Sequence, residues 1–99
     1  KKIITPDYII DTVAEHFDIT PDDIKGDKRS SKIAHPRQIA MYLCREMTGM
    51  NLQRIGEYMG GKDHTTIMYG IRKIESQIKS SDSIKNTIQL LKKKINPSG

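Results

Sequence analysis

Apolar residues recur every three or four positions along most of the chain, which is the pattern of amphipathic helices. The first such run covers residues 6–18, and the next one follows Pro36. Two more runs cover residues 52–59 and 63–79, and the last begins near Asp82. No stretch alternates apolar and polar residues between turn signals, as a strand would. We therefore predict an all-α fold of about six helices, packed as one compact bundle.

Residues that favour helix ends mark the bounds of several of these elements. Thr5 and Thr20 each stand before a Pro and an acidic residue, which is how many helices begin. The helix after Thr20 is short, because residues 26–35 break the apolar periodicity and are predicted to form a basic loop. We expect Pro36 to start the third helix and Gly49 to end it in the left-handed conformation.

The runs 52–59 and 63–79 form a short helix, a turn with glycines and a longer helix, which is the pattern of a helix-turn-helix motif. Gly56 lies inside the shorter helix, where it costs up to about 1 kcal/mol relative to Ala. We interpret Gly56 as the contact point of two helices that cross at a steep angle. Gly60 can adopt a positive φ and reverse the chain.

The isoleucines of the run 63–79 face the core, so the N-terminal tip of this helix is expected to point outward. In a helix-turn-helix motif, such a tip reaches base edges in the major groove of DNA. Asp63 can accept a hydrogen bond from a cytosine amino group, and His64 can donate one to a purine N7. The Thr65 methyl can pack on a thymine methyl, and Thr66 can bond a base or a phosphate. The alternative is that these residues only cap the helix or are only solvated.

The net charge of +5 is unevenly distributed along the chain. Residues 1–27 contain three Lys and seven acidic residues, whereas residues 28–99 contain fourteen basic and five acidic residues. Basic charge concentrated on one part of a small domain favours a polyanion as the partner.

The same charge has alternative explanations. It could belong to an ordinary solvated surface that binds no partner. A further alternative is that the Lys-rich last helix binds acidic phospholipid. We favour the interpretation that the apolar stripe of this helix closes the core instead. Regulatory proteins could also dock on the acidic first helix.

Other classes of function find little support in the sequence. Residues 56–62 match the phosphate-binding pattern G-x-x-x-x-G-K, but Asp63 follows where Ser or Thr is needed, and no strand precedes the glycines. No Cys/His spacing fits a metal and no paired nucleophile and base is evident, so we expect no enzyme activity and no cofactor. Cys44, the one cysteine, is expected to be a small buried group and suits a reducing compartment such as the cytoplasm.

Two segments resemble a known family. Residues 60–67, followed by residues 72–74, and upstream residues 36–43 resemble signatures of the C-terminal domain of the bacterial chromosomal replication initiator DnaA. The resemblance covers nearly the whole chain. It implies a single helix-turn-helix domain over residues 1–99, which reads a short asymmetric origin box in double-stranded DNA. It also implies an ATPase module upstream, to which residues 1–4 would connect, so that ATP is expected only there.

The resemblance also implies roles for individual residues. Asp63, His64 and Thr65 would read bases in the major groove, Thr66 would contact a base or a phosphate, and Arg29 would enter the adjacent minor groove. Five further side chains would contact phosphates, which position the domain without reading sequence: Lys28, Arg37, Gln38, Arg45 and Lys62. A single asymmetric reader without a coiled-coil pattern favours a monomer.

The chain departs from the family pattern at three places. Asp27, Ser30 and Ser31 interrupt a loop in which many members have a denser run of Arg. Lys62 stands where Arg is common, so that a point charge replaces a contact that could be bidentate. His35 stands where a basic residue is frequent.

Overall fold

Helices account for the regular structure of residues 3–99, the part of the chain that this computed structural model describes. There are six helices and no strand in that part. Their bounds are α1 Pro6–His16, α2 Pro21–Lys25, α3 Ser31–Thr48, α4 Leu52–Tyr58, α5 His64–Ser80 and α6 Asp82–Ile95. The prediction of an all-α fold with about six helices is confirmed. Lys1 and Lys2, which belong to the predicted connection at residues 1–4, lie outside the described residues.

Side-chain caps explain where five of the helices begin. Each cap accepts a hydrogen bond from the backbone N–H three residues further on, and the caps are Thr5, Thr20, Asn51, Asp63 and Ser81. Helix geometry leaves the first N–H groups of a helix without an intrahelical partner, and each cap satisfies one of them. The caps therefore fix the ends of the helices that frame the candidate site.

α3 begins more than one turn earlier than the sequence predicts. Its first residue is Ser31, and the C=O of Ser30 accepts the first hydrogen bonds of the helix. Pro36 is buried inside the helix instead of starting it. The ring costs the helix one N–H hydrogen bond, but its burial in the core offsets that loss. The prediction of a basic loop over residues 26–35 is therefore wrong in its second half, and the basic loop consists of residues 26–30.

α3 is the central helix and contacts each of the other five. α5 packs closely against it at Gly70, where a Cβ atom would lie only 2.6 Å from the Sδ of Met41. The apolar stripe of α6 is buried at Ile88, Leu91 and Ile95, so this stripe belongs to the core. Within residues 3–99, no helix is long and apolar enough to cross a membrane.

Cys44 is fully buried on α3, as its position in the sequence predicts. Burial raises the pKa of its thiol to about 12, because the charged thiolate would lose its hydration. The thiol therefore stays protonated near neutral pH. Since the thiolate is the reactive form, Cys44 acts as a packing group.

Candidate nucleic-acid interface

A tight glycine turn joins α4 to α5. Gly60 and Gly61 both have positive φ, 85° and 81°. The C=O of Gly56 accepts hydrogen bonds from the N–H groups of Gly61 and Lys62, at 2.9 and 3.0 Å, so the turn folds back onto α4. A Cβ at Gly56 would collide with the C=O of Lys62. Gly56 thus permits a close contact, as predicted, but the main contact is with the turn and not with a crossing helix.

The start of α5 is exposed to solvent over the whole predicted tip, from Asp63 to Thr66. The Oδ1 of Asp63 accepts a hydrogen bond from the backbone N–H of Thr66 at 2.9 Å. This bond holds the pKa of the Asp63 carboxyl below its usual value, so the group is ionised at neutral pH. Asp63 is therefore the cap of α5. A carboxylate has several lone pairs, so the capping bond leaves room for a further donor.

A cleft of about 310 Å³ separates the basic loop from α5. Arg29 lines it from the loop, Gln38 from α3, and Thr66 and Lys62 from the start of α5 and the turn before it. Arg37 of α3 also lines the cleft. The structure therefore brings together five of the predicted contact residues, although they lie in three separate segments of the sequence. Arg29 and Thr66, the last residue of the tip, border the same cleft. Side chains that enter neighbouring grooves of one duplex would have to lie close together in this way.

Arg37 is buried beneath this surface and is only 7% exposed. Its guanidinium donates three hydrogen bonds of 2.9 Å, to the backbone C=O groups of Asp23, Ile24 and Lys28. Burial lowers the pKa of the guanidinium, and the negative charges of nearby aspartates act against this shift. Arg37 thus ties α2 and the basic loop to α3. The phosphate contact predicted for Arg37 stays a prediction. The three hydrogen bonds give the side chain a structural role in addition.

Lys62 is also held by backbone groups. Its Nζ donates hydrogen bonds of 2.8 Å to the C=O groups of Lys25 and Met59, and its side chain is only 11% exposed. Burial and the positive charge of Arg37 lower the pKa of the ammonium, whereas Asp27 raises it. Asp27 Oδ1 lies 3.6 Å from the Nζ. The ammonium therefore borders the cleft and is fixed by contacts to three other segments.

The two remaining predicted phosphate contacts are Lys28, which precedes the start of α3, and Arg45, which lies near its end. Lys28 in the basic loop has a mostly exposed side chain, whose Nζ lies 3.4 Å from the Oδ1 of Asp23. Arg45 is exposed near the other end of α3, where its guanidinium donates a hydrogen bond to the C=O of Met50. Arg45 does not line the cleft. A duplex that touched both residues would therefore extend beyond the cleft along α3.

Tyr69 is a residue of the cleft that was not predicted as a contact from the sequence. Tyr69 is 64% exposed on α5, and its ring lines the same cleft as Arg29 and Thr66. It follows Thr65 by four positions and Thr66 by three, so it lies on the same helix face as the tip. A large exposed aromatic residue is more common at an interface than elsewhere on a surface. Its place outside the isoleucine stripe was the signal that could have identified it.

A short helix, a turn of two glycines with positive φ, and a longer helix with an exposed tip together define a helix-turn-helix domain. Within residues 3–99, no group of three or more His, Cys, Asp or Glu side chains could hold a metal ion. The family model for the bacterial DnaA protein helix-turn-helix matches residues 6–74, which is well over half of the chain. The chain belongs to this family, as the resemblance implied.

Curated relatives are similar over nearly the whole chain. The chromosomal replication initiator protein DnaA of Lachnoclostridium phytofermentans is 52% identical over 97 residues, which cover 98% of this chain and 21% of the relative. The protein of the same name from Citrifermentans bemidjiense is 48% identical over 92 residues, covering 93% of this chain and 20% of the relative. The chain thus spans about a fifth of the length of the curated relatives it matches.

A solved structure has the same fold. The crystal structure of a DNA replication initiation factor superposes with a TM-score of 0.83 at 33% sequence identity. The match covers 91% of this chain and 27% of that chain. The all-helical architecture is therefore shared with a replication protein of known structure, of which this chain corresponds to one part.

Proposed function

We propose that this chain binds double-stranded DNA sequence-specifically and recognises origin boxes in the initiation of chromosomal replication. The tip residues Asp63, His64, Thr65 and Thr66 read bases in the major groove, and Arg29 enters the adjacent minor groove. The observation that carries this proposal is the cleft, since it is lined by both Arg29 and Thr66, and Thr66 belongs to the exposed tip of α5. The names of the relatives, which are replication initiators, agree with it.

Phosphate contacts would position the domain on the duplex. Lys28, Gln38, Arg45 and Lys62 remain the proposed partners of the DNA backbone. For Arg37 the structure favours an indirect part, because its guanidinium holds the C=O of Lys28 and thereby the start of the basic loop. A contact that positions the DNA without reading bases should weaken binding to every duplex alike.

The proposal extends to the wider role of the domain. We propose that the domain acts as a monomer in the cytoplasm and that ATP binds only to an upstream module of the longer protein. The domain itself would perform no catalysis. Acidic phospholipid is a weaker candidate as a partner of this chain, because the apolar stripe that a membrane-bound α6 would need is buried in the core. Regulatory proteins that dock on the acidic first helix stay a second proposed class of partner.

Fluorescence-anisotropy titrations against a DnaA origin box and a scrambled duplex of equal length, each at two salt concentrations, test the proposal. We expect the box to bind at least about tenfold more tightly. Thr65→Ala should cost about 1–3 kcal/mol for the box and little for the scrambled duplex. Equal, salt-sensitive binding of both duplexes would reduce the domain to a non-specific polyanion binder. Equal losses on both duplexes in the Thr65 variant would end the base-reading role of that residue.

A further inference from the structure

An acidic side chain lies where the proposed function needs positive charge. Asp27 belongs to the basic loop, and its side chain is 96% exposed. Among the described residues that line the cleft it is the one acidic member, beside Arg29, Lys62 and Thr66. Among residues 3–99 this carboxylate caps no helix, and its ion-pair partner is Lys62.

The neighbours of the Lys62 ammonium define the position of the Asp27 carboxylate. An ammonium group has three N–H donors. Two of them donate to the backbone C=O groups of Lys25 and Met59, which are fixed parts of the fold. The remaining neighbour is the Asp27 carboxylate, 3.6 Å from the Nζ. The third donor is therefore left for an exposed anion at the border of the cleft.

The surrounding charges favour an anion at this point. Burial lowers the pKa of the Lys62 ammonium, and the positive charge of Arg37 lowers it further. Asp27 acts against these shifts at Lys62 and against the effect of burial at Arg37. Two cations thus face a single exposed carboxylate. If the carboxylate moved away, Lys62 would lose its acidic neighbour at the point where a DNA phosphate would approach.

We propose that Asp27 occupies the place of a DNA phosphate at Lys62 and is displaced when duplex DNA binds. Asp27 is then a built-in competitor that sets how tightly the domain holds any duplex, without changing which sequence it prefers. Because a phosphate contact carries no sequence information, the competition affects specific and non-specific binding equally. This inference rests on the proposed DNA-binding function.

The test compares Asp27→Asn with the matched control Asp11→Asn. Both variants remove one negative charge from an exposed side chain, but Asp11 lies on α1 in a different groove, beside Lys94. Anisotropy titrations use the origin box and the scrambled duplex over a series of salt concentrations. We expect Asp27→Asn to tighten both complexes by about three- to tenfold at low salt. The slope of log affinity against log salt concentration should also become steeper, by the amount that about one additional phosphate contact causes. Asp11→Asn should change both affinities less than about twofold.

A second background tests whether the effect passes through Lys62. When Lys62 is already replaced by Gln, adding Asp27→Asn should increase the affinity for either duplex no more than the control Asp11→Asn does. A full gain in that background would overturn the competition at Lys62, and so would an equal gain from Asp11→Asn. If Lys62→Gln does not fold, an unchanged salt slope in Asp27→Asn overturns the proposal by itself. Wild-type protein that binds neither duplex would refute the proposed function, and the inference with it. If the wild type prefers the box but has the same affinities and the same salt dependence as Asp27→Asn, the inference alone would be refuted.

Discussion

Replacing Arg37 by Met should destabilise the domain more than any change at the exposed tip. Met retains the apolar stem of the side chain within α3 but removes the guanidinium. The backbone C=O groups of Asp23, Ile24 and Lys28 then lose their donors together. These groups lie at the end of α2 and in the basic loop, so the lost contacts are those that hold this region to α3.

The hydrogen-bond geometry gives the size of the effect. All three bonds are 2.9 Å long, which is the ordinary length of a well-formed N–H···O bond. A hydrogen bond that involves a charged group contributes about 1.5–3 kcal/mol. Relaxation lets water reach some of the freed C=O groups, so we take the lower end and expect a loss of about 4–5 kcal/mol. That is a large part of the stability of about 5–15 kcal/mol found for small domains.

Urea unfolding followed by circular dichroism measures this loss. Arg45→Met is the matched control, because Arg45 is exposed and donates a single hydrogen bond to the C=O of Met50. The control should lose about 1 kcal/mol or less. If Arg37→Met stayed within about 1 kcal/mol of the wild type, the structural role would be refuted, and the predicted phosphate contact would become the better account of Arg37.

The remaining predictions concern a turn, an exposed ring and two histidines. Gly60→Ala should lower the free energy of unfolding by about 2 kcal/mol or more, because φ is positive and the new Cβ would collide with a backbone C=O of α2. Gly49→Ala has a positive φ but open space and should cost about 1 kcal/mol in the same urea titration, so equal costs would contradict the collision. Tyr69→Ala should leave the thermal midpoint unchanged and weaken binding of the box by about threefold or more, and an unchanged titration would remove Tyr69 from the interface. Burial lowers the pKa values of His16 and His35 from 6.5, with help from the charges of neighbouring lysines, so the unfolded chain takes up protons first as the pH falls. Their contribution to stability should be complete above about pH 7 and be lost as the pH falls through the lower pKa values of the folded state. Urea titrations at about pH 7.5 and 5.5 should therefore show a flatter pH dependence when both histidines are Gln, and an equally steep dependence would contradict the assignment.

The elements of the fold could be predicted because they depend on residues that are close in sequence. The spacing of the isoleucines predicted the buried face of α5, and Ile67, Ile71 and Ile74 are indeed buried. Gly49 ends α3 with a φ of 70°, as expected for a left-handed helix end. The start of α3 was missed because Pro usually stands at the first helical position. In this chain, burial of the Pro36 ring favours a place further inside the helix.

The candidate site was harder to predict, because the partners of its charged side chains are far away in sequence. Arg37 donates to C=O groups 13 and 14 residues upstream, and Lys62 donates to the C=O of Lys25, 37 residues upstream. Charge and spacing alone describe both as surface cations ready for a phosphate. Only the packing of α2 against α3 and against the glycine turn shows that both are held by the backbone. No local pattern contains that information.

The end of α2 is fastened to the turn that precedes α5. The C=O of Lys25 accepts a hydrogen bond from Lys62 and lies directly against Gly60. Since the basic loop starts at this same end of α2, these contacts fix the start of the loop relative to the turn that leads into the α5 tip. Successive base pairs of B-DNA are about 3.4 Å apart and are rotated by about 35°. If the domain binds DNA as proposed, one base pair inserted between the positions contacted by Arg29 and by the tip would move one of these contacts out of its groove. The domain would then recognise a distance along the duplex in addition to base edges.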